Sequence, residues 1–261
     1  MDCFKKCSIT NLISITVTFT IIVGMLSLPA KAQEDSTQSD GWSFSVAPYA
    51  LFPYMNGFTT IRGKQSAVVV GPGDIFSNLN LGVMLYTEAS NPDWAIIMDL
   101  LFMDLGQTGE TPLGREINTD ISQLAFEITG MRRISPVFEL GIGFRINSLT
   151  GDLFIPEGQF LPGIDVSNTK TWVDPFIAAR LMAPLEHPWR LGVRGDIGGF
   201  GISSAFTWQL YPFFGHRFSK LFEMILAYRW LGVDYSSGSG DELFEYDMTT
   251  FGPELGFLFH F

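Results

Sequence analysis

The chain has 261 residues, of which 46% are hydrophobic and only 16% charged, with 24 Phe and 27 Gly. That composition is too apolar for a disordered protein, and a formal net charge of −11 offers no basic face to a nucleic acid. The length allows one large domain or two small ones, and abundant aromatics and glycines favour short-stranded sandwiches or barrels.

Taken in chain order, residues 1–32 read as a secretory signal peptide. Lys5 and Lys6 form a basic start, 9–28 an apolar stretch, and Ala30-Lys31-Ala32 a small-x-small site that places cleavage between Ala32 and Gln33. An uncleaved membrane helix is the competing reading, since a stretch of that length spans a bilayer; the position of the Ala-x-Ala site favours cleavage. Cys3 and Cys7 both fall in this segment, so the mature chain carries no disulfide, thiol nucleophile or cysteine metal site. Losing Asp2, Lys5, Lys6 and Lys31 takes the formal charge from −11 to −13. Residues 33–41 form a short periplasmic lead-in. No later stretch suits a membrane helix, so a membrane-embedded mature chain must be a closed barrel.

From Trp42 the sequence divides into segments of about ten residues with period-two hydrophobicity, as transmembrane strands require. Ten strands are predicted, at 42–51, 80–89, 94–105, 118–131, 136–148, 171–184, 188–198, 204–217, 221–234 and 246–261. In the last, Phe251, Leu255, Phe257, Phe259 and Phe261 share one face, and Thr250, Gly252, Glu254, Gly256 and His260 the other. The fold expected over 42–261 is an all-β, transmembrane, antiparallel up-and-down barrel of about ten strands. A soluble sandwich shows the same alternation with its apolar face as core, so the connections decide. Short turns at 90–93, 132–135, 185–187 and 218–220 alternate with long connections at 52–79, 106–117, 149–170 and 235–245; 199–203 is shorter but lies on the long side. This is the periplasmic-turn, extracellular-loop pattern of outer-membrane barrels. Trp42, Trp94, Trp189, Phe222 and Phe261 fall at periplasmic strand ends and Trp208, Trp230 and Phe251 towards the other interface, where aromatic girdles sit. The terminal aromatic alternation resembles the signal that barrel-assembly machinery reads.

Strand parity turns many charges inward. The acids are Glu88, Asp99, Glu127, Glu139, Asp174, Asp196, Glu223 and Glu254; the bases are Arg145, Arg180, Arg190, Arg194, Arg217 and Arg229, six of the ten arginines in the chain. A barrel this small has an interior that side chains fill. Charges there must pair, because an unpaired buried charge is costly, and the guanidinium fork suits carboxylates. Arg180, Arg194 and Arg229 are expected to pair with acids such as Asp174, Asp196 and Glu254. Two readings follow: a salt-bridged structural core, favoured because ten strands leave little bore, or a charged constriction that selects solutes. Within 52–79, 58–61 and 67–70 suggest a hairpin around Arg62-Gly63-Lys64, with Gly71-Pro72-Gly73 as a breaker and Asp74 as cap to a short helical turn over 75–79. This segment either plugs the barrel or stands above it.

Catalytic signals are weak. His187, His216 and His260 all lie towards the periplasmic end, so no base serves an extracellular Ser or Asp. The glycine-rich stretch 195–201 lacks the helix and Lys-Ser/Thr of a phosphate loop and reads as a tight connection. No spacing specifies a metal or cofactor. The expectation is a non-enzymatic protein without cofactor.

Three stretches, Thr171-Trp172-Val173-Asp174-Pro175, residues 194–201 and residues 228–235, carry a resemblance to a widespread group of Gram-negative outer-membrane β-barrel proteins over roughly 41–261. The chain is also loosely similar to the OmpA and OmpW classes of small barrels, without the soluble periplasmic domain of OmpA. The resemblance implies fold and location and brings no activity with it. The expected role is a monomeric, largely filled barrel, serving as a structural surface protein or a narrow passage for small solutes. Its partners would be outer-membrane lipid and lipopolysaccharide, and it would bind no nucleic acid. The alternative is a binding module whose long loops engage a ligand, lipopolysaccharide or protein; a barrel enzyme ranks third. Mature protein should fractionate with the outer membrane, begin at Gln33, and shift in gel mobility on heating. Recovery as a soluble periplasmic protein would overturn the architecture.

Overall fold

A computed structural model describes residues 41–261 apart from 62, 111–114 and 159–161. The signal peptide, its Ala32–Gln33 junction and residues 33–40 lie outside the described residues. The chain forms β1 (Ser43–Leu51), β2 (Tyr54–Ile61), β3 (Lys64–Val70), α1 (Pro72–Ser77), β4 (Leu79–Ser90), β5 (Trp94–Glu110), β6 (Glu116–Ser135), β7 (Phe138–Ile155), β8 (Ile164–Met182), β9 (Trp189–Gly198), β10 (Ser204–Arg217), β11 (Phe222–Ser237) and β12 (Phe244–His260), with one 3-10 turn at Gly240–Glu242.

Neighbours in sequence pair antiparallel from β4 to β12, and β1 joins β4 to β12, closing the barrel. The twelve segments make ten wall strands. β1 and β2 share one register on β12: Leu51 opposes Glu254, and Tyr54 opposes Phe251. They are therefore one strand, interrupted where Pro53 has no N–H to donate. β3 and β4 together form the second, descending strand, broken by α1.

Following hydrogen-bonded partners around the wall gives the barrel's shear. From Ser45 the line runs through Glu88, Ile97, Thr129, Gly143, Phe176, Gly198, Thr207, Val233 and Met248 to Gly57, twelve residues further along the first strand. With ~3.3 Å per residue and ~4.8 Å between strands, that offset tilts the strands by ~40°, inside the usual range for barrels.

The outward face is apolar for about ten residues per strand and then turns polar. On β5 it runs from Trp94 to Phe102 before Asp104; on β7 from Phe138 to Ile146 before Ser148; on β8 from Leu181 to Val173 before Thr171. At ~40° tilt this is a band about 25 Å tall, the hydrocarbon height that outer-membrane barrels present. Trp42, Trp94, Trp189 and Phe261 are exposed at one rim, and Arg132 lies 4.9 Å over the Trp94 ring. Trp208 and Trp230, half-buried, sit towards the other rim.

Most predicted strands lie within a few residues of the observed ones, and 204–217 coincides. Two expectations need correction. Residues 106–117 and 149–170 are largely strand: β5 to β8 continue above the band, their outward faces closed by hydroxyl pairs such as Ser148–Thr171 at 2.8 Å and Thr150–Thr169 at 2.9 Å. A polar outer face hides such strands from a search for apolar alternation. Residues 132–135 belong to β6, which leaves only 136–137 as turn. The expected hairpin is present, and the helix starts three residues earlier than predicted, with Pro72 in its first turn and the Asp74 carboxylate accepting from the Gly71 N–H.

Gly256 faces the lumen with ordinary contact room for a Cβ, 3.5 Å from Tyr49 Cβ, whereas Phe257 is exposed on the outer face. Phe257→Arg should therefore cost about 2–4 kcal/mol if held near the bilayer midplane, and Gly256→Ser far less. A vesicle-refolding titration that finds the two equally tolerated would reverse the inside–outside assignment.

Candidate functional site in the barrel lumen

The chemistry-bearing residues lie inside the barrel. Strand alternation points every second side chain inward, and twist brings rows from opposite walls together. One row along the hydrogen-bond register holds Glu139, Arg180, Arg194, Tyr211 and Arg229, from β7 to β11. Across the lumen stand Glu88, Asp99 and Glu127 on β4, β5 and β6. The rows meet in three ties between strands that are not neighbours in the wall: Arg180–Glu88 at 2.9 Å, Arg194–Glu127 at 3.1 Å and Arg229–Asp99 at 2.7 Å.

Each tie is embedded in further bonds. Arg145, fully buried, donates to Glu127 at 2.7 Å, to Asp196 at 3.0 Å and to the Thr207 hydroxyl at 2.6 Å. Asp196 also accepts from Gln209 at 3.1 Å and lies 3.7 Å from Arg194. Arg229 bridges Asp99 and Glu254, whose other oxygens accept from the Tyr49 and Tyr211 hydroxyls at 2.6 Å each. Arg180 holds Glu139 at 2.6 Å as well as Glu88, which also accepts from Tyr86. Tyr49 and Tyr211 flank the Arg229 guanidinium at 5.3 and 5.1 Å, and Phe176 lies under Arg145 at 5.3 Å, so aromatic rings pack directly against the pairs.

Asp174 differs from its expected pairing. Among the described residues it meets no arginine: its carboxylate accepts from the Ser204 N–H at 2.8 Å, the Ser204 hydroxyl at 2.7 Å and the Trp172 indole at 3.1 Å. Ser204 opens β10, so Asp174 fastens the 199–203 connection to the inner wall. Gly199 and Gly201, both at positive φ, let the chain turn there, and Phe200 shares that conformation. Arg217 also stands apart, donating to the Lys220 carbonyl at the rim that carries Trp189 and Phe261. Arg190 and Glu223 pair at 3.1 Å near that rim.

Sequence reasoning overlooked three features. Arg133, assigned to a turn, donates to Glu139 at 3.1 Å. His260 lies 2.9 Å from Glu223 and 3.0 Å from the Ser45 hydroxyl, clasping β1, β12 and β11 at the closing seam; only knowledge that the first strand meets the last reveals it. Above the charges, Trp172, Val233, Phe244, Tyr246 and Met248 form an apolar layer in which Trp172 stacks on Tyr235 at 4.3 Å. A cavity of about 40 Å³ lies within the charge network, lined by Asp99, Arg180, Arg194, Arg229 and Glu254, and others of about 30 and 10 Å³ lie towards the apolar layer, room for a few waters. No group of three or more His, Cys, Asp or Glu among the described residues is arranged to hold a metal ion.

No family model matches the chain, and no curated protein does. Solved structures do. The chain is similar to Ail, the attachment invasion locus protein of Yersinia pestis, in complex with the heparin analogue sucrose octasulfate (13% identity, 85% of this chain, 100% of that one, TM-score 0.40). It is similar to the translocator domain of the autotransporter NalP from Neisseria meningitidis (11%, 97% and 99%, 0.36) and to a Pseudomonas aeruginosa FadL homologue (9%, 84% and 89%, 0.33). All three are outer-membrane β-barrel proteins.

Arg145→Ala should strand two buried carboxylates and lower the unfolding midpoint by the equivalent of about 3–5 kcal/mol. Adding Glu127→Gln should recover part of that loss, because the pair is coupled. Additive losses in a urea-unfolding double-mutant cycle would show that the two side chains act independently.

Proposed function

We propose that the protein is a structural surface barrel of the Gram-negative outer membrane, with a lumen closed by its own side chains. It is exported by cleavage after Ala32, inserted through recognition of the strand ending at Phe261, and resident as a monomer among lipid and lipopolysaccharide. The observation that carries this reading is the set of three cross-lumen ties. An open aqueous channel leaves such pairs screened and worth about 0–1 kcal/mol; here they are buried, shared among several acceptors and walled by aromatic rings.

A non-catalytic role fits the positions of the histidines. His216 packs edge-on against Trp189 at 4.3 Å. His260 shares Glu223 with Arg190, and Ser45 lies in a regular strand rather than on the strained turn that exposes a nucleophile.

A binding role for the extracellular end has one specific observation in its favour. The extensions of β6 to β8 leave Ile121, Leu153, Ile164 and Val166 exposed on their inward face above the barrel. Exposed apolar patches of this kind mark interaction sites.

Planar-bilayer recording of the refolded protein tests the main reading. The expected trace shows no resolvable steps in molar KCl. Large, ion-selective steps would establish a pore and overturn the filled-barrel assignment.

A further inference from the structure

The wall is parted between its first and second strands. β1 and β4 are zipped from Ser43–Ser90 to Pro48–Leu85, and β2 and β3 from Met55–Val70 to Ile61–Lys64. Between these ladders, residues 49–54 oppose no strand on that side. The descending strand carries eight extra residues here, 71–78, and they fold as α1 and its two flanking residues. The offset between the two ladders is also eight, so the insertion alone parts an otherwise continuous pair of strands.

The seam's backbone chemistry suits an interrupted ladder. Leu51 gives its N–H to the Met84 thioether at 3.3 Å, and Pro53 has no N–H to give. Two donors that would be orphaned in lipid are thus handled without a partner strand. The outward residues at this level are Phe52 and Phe76, exposed with rings 5.4 Å apart. Below them the face is apolar; the next outward residue above on the first strand after Tyr54 is Asn56. The break therefore lies in the outer-leaflet part of the apolar band.

Behind the seam the lumen is apolar. Ile75 of α1 points in and is buried against Leu51, Leu101 and Met103, with Met55, Val70, Leu79, Met84, Leu105 and Ala125 around them. The cavity of about 30 Å³ adjoins this cluster, lined on the seam side by Leu51, Leu101, Met103 and Ala125 and on the far side by Asp99, Glu127 and Arg229 of the charge network. An isolated helix of six residues has little stability of its own, and Ile75 is its one buried residue.

We propose that α1 is a lateral plug and that the compartment behind it is a binding site for an unbranched alkyl chain entering from the outer leaflet. The seam lies within the apolar band, where alkyl chains are the molecules at hand, and Phe52 and Phe76 stand at its mouth. The seam-side lining of Leu, Met and Ala is flexible and suits an apolar chain, and the polar far wall of Asp99, Gln123, Glu127, Arg229 and Thr250 limits how deep that chain runs. The chain takes the place of Ile75. The proposal is independent of whether the lumen conducts along its axis.

Cysteine labelling tests it, because the chain from Gln33 onward contains no cysteine. Ala125→Cys places a thiol behind the plug; Phe102→Cys is a lipid-facing control, and Ala178→Cys a buried lumen control away from the seam. Each is refolded into vesicles, checked by heat-shifted mobility, and treated with N-dodecylmaleimide in the lipid or a charged sulfonatoethyl methanethiosulfonate in the water. Ala125→Cys should be modified by the alkyl reagent to the extent of Phe102→Cys, while Ala178→Cys stays unmodified; dodecanol should compete. The charged reagent should leave Ala125→Cys untouched. Deleting residues 71–78 joins Val70 to Leu79, brings the two ladders on the first strand into one register, and should abolish the labelling. Absence of alkyl labelling, equal labelling by the charged reagent, or labelling that survives the deletion in a folded barrel each overturns the proposal. If the deletion variant does not refold, the two reagents and the dodecanol competition still decide. A phospholipid with the maleimide at one acyl terminus distinguishes the source: labelling by it identifies a lipid tail, and labelling by dodecylmaleimide alone a free single-chain amphiphile.

Discussion

A guanidinium inside a narrow closed barrel cannot extend to bulk water, so its charge has to be answered within reach of its own side chain. Here the answer comes from the opposite wall. Arg180, Arg194 and Arg229 stand on three different strands along one line of the hydrogen-bond register, and each spans the lumen to an acid on β4, β6 or β5. The ties fix the distance between walls, and the remaining lumen residues are arranged around them. Tyrosines cap the spare carboxylate oxygens, Thr129 and Thr207 accept the spare guanidinium hydrogens, and rings of Phe176, Tyr49 and Tyr211 fill the space between.

The geometry of the wall makes those ties possible. A twelve-residue offset over ten strands brings an arginine and a carboxylate to the same height from strands far apart in sequence. Small residues set the local clearance. A Cβ at Gly143 would fall 2.6 Å from the Phe176 ring, and one at Gly232 would collide with the Trp208 indole. The inner glycine thus leaves the ring under Arg145 its place; the outer one lets an interfacial tryptophan lie flat on its neighbour strand.

The ten-strand pattern was legible because the apolar band imposes alternation wherever lipid is present. Parity sorts Arg145, Arg180, Arg194 and Arg229 inward from the sequence alone. The pairings were not legible. Asp174 looks, in sequence, like any other inward acid, yet it binds the backbone of Ser204, because its partner depends on where β9 turns into β10. Arg217 has the correct parity but sits too close to the rim to reach the network. The His260–Ser45 contact depends on the closure of first strand on last, a separation of 215 residues that no local pattern encodes. The extended strands above the membrane were missed for a related reason: outside the lipid their outer face is polar, and the alternation that signals a strand disappears.

Cross-lumen pairing also accounts for how the barrel tolerates a break in its wall. A closed sheet with one unzipped ladder would ordinarily present strand edges that invite slippage. The Tyr49 hydroxyl, at the lower edge of the break, donates to Asp99 on β5 at 2.6 Å, and Arg229 on β11 reaches the same carboxylate at 2.7 Å. Both contacts cross the seam, joining β1 and β11 on one side to β5 on the other. The charge network therefore supplies, through the interior, the connection that the missing hydrogen bonds fail to supply in the wall. Eight residues can fold as a helix at that point while the strands on either side keep one register.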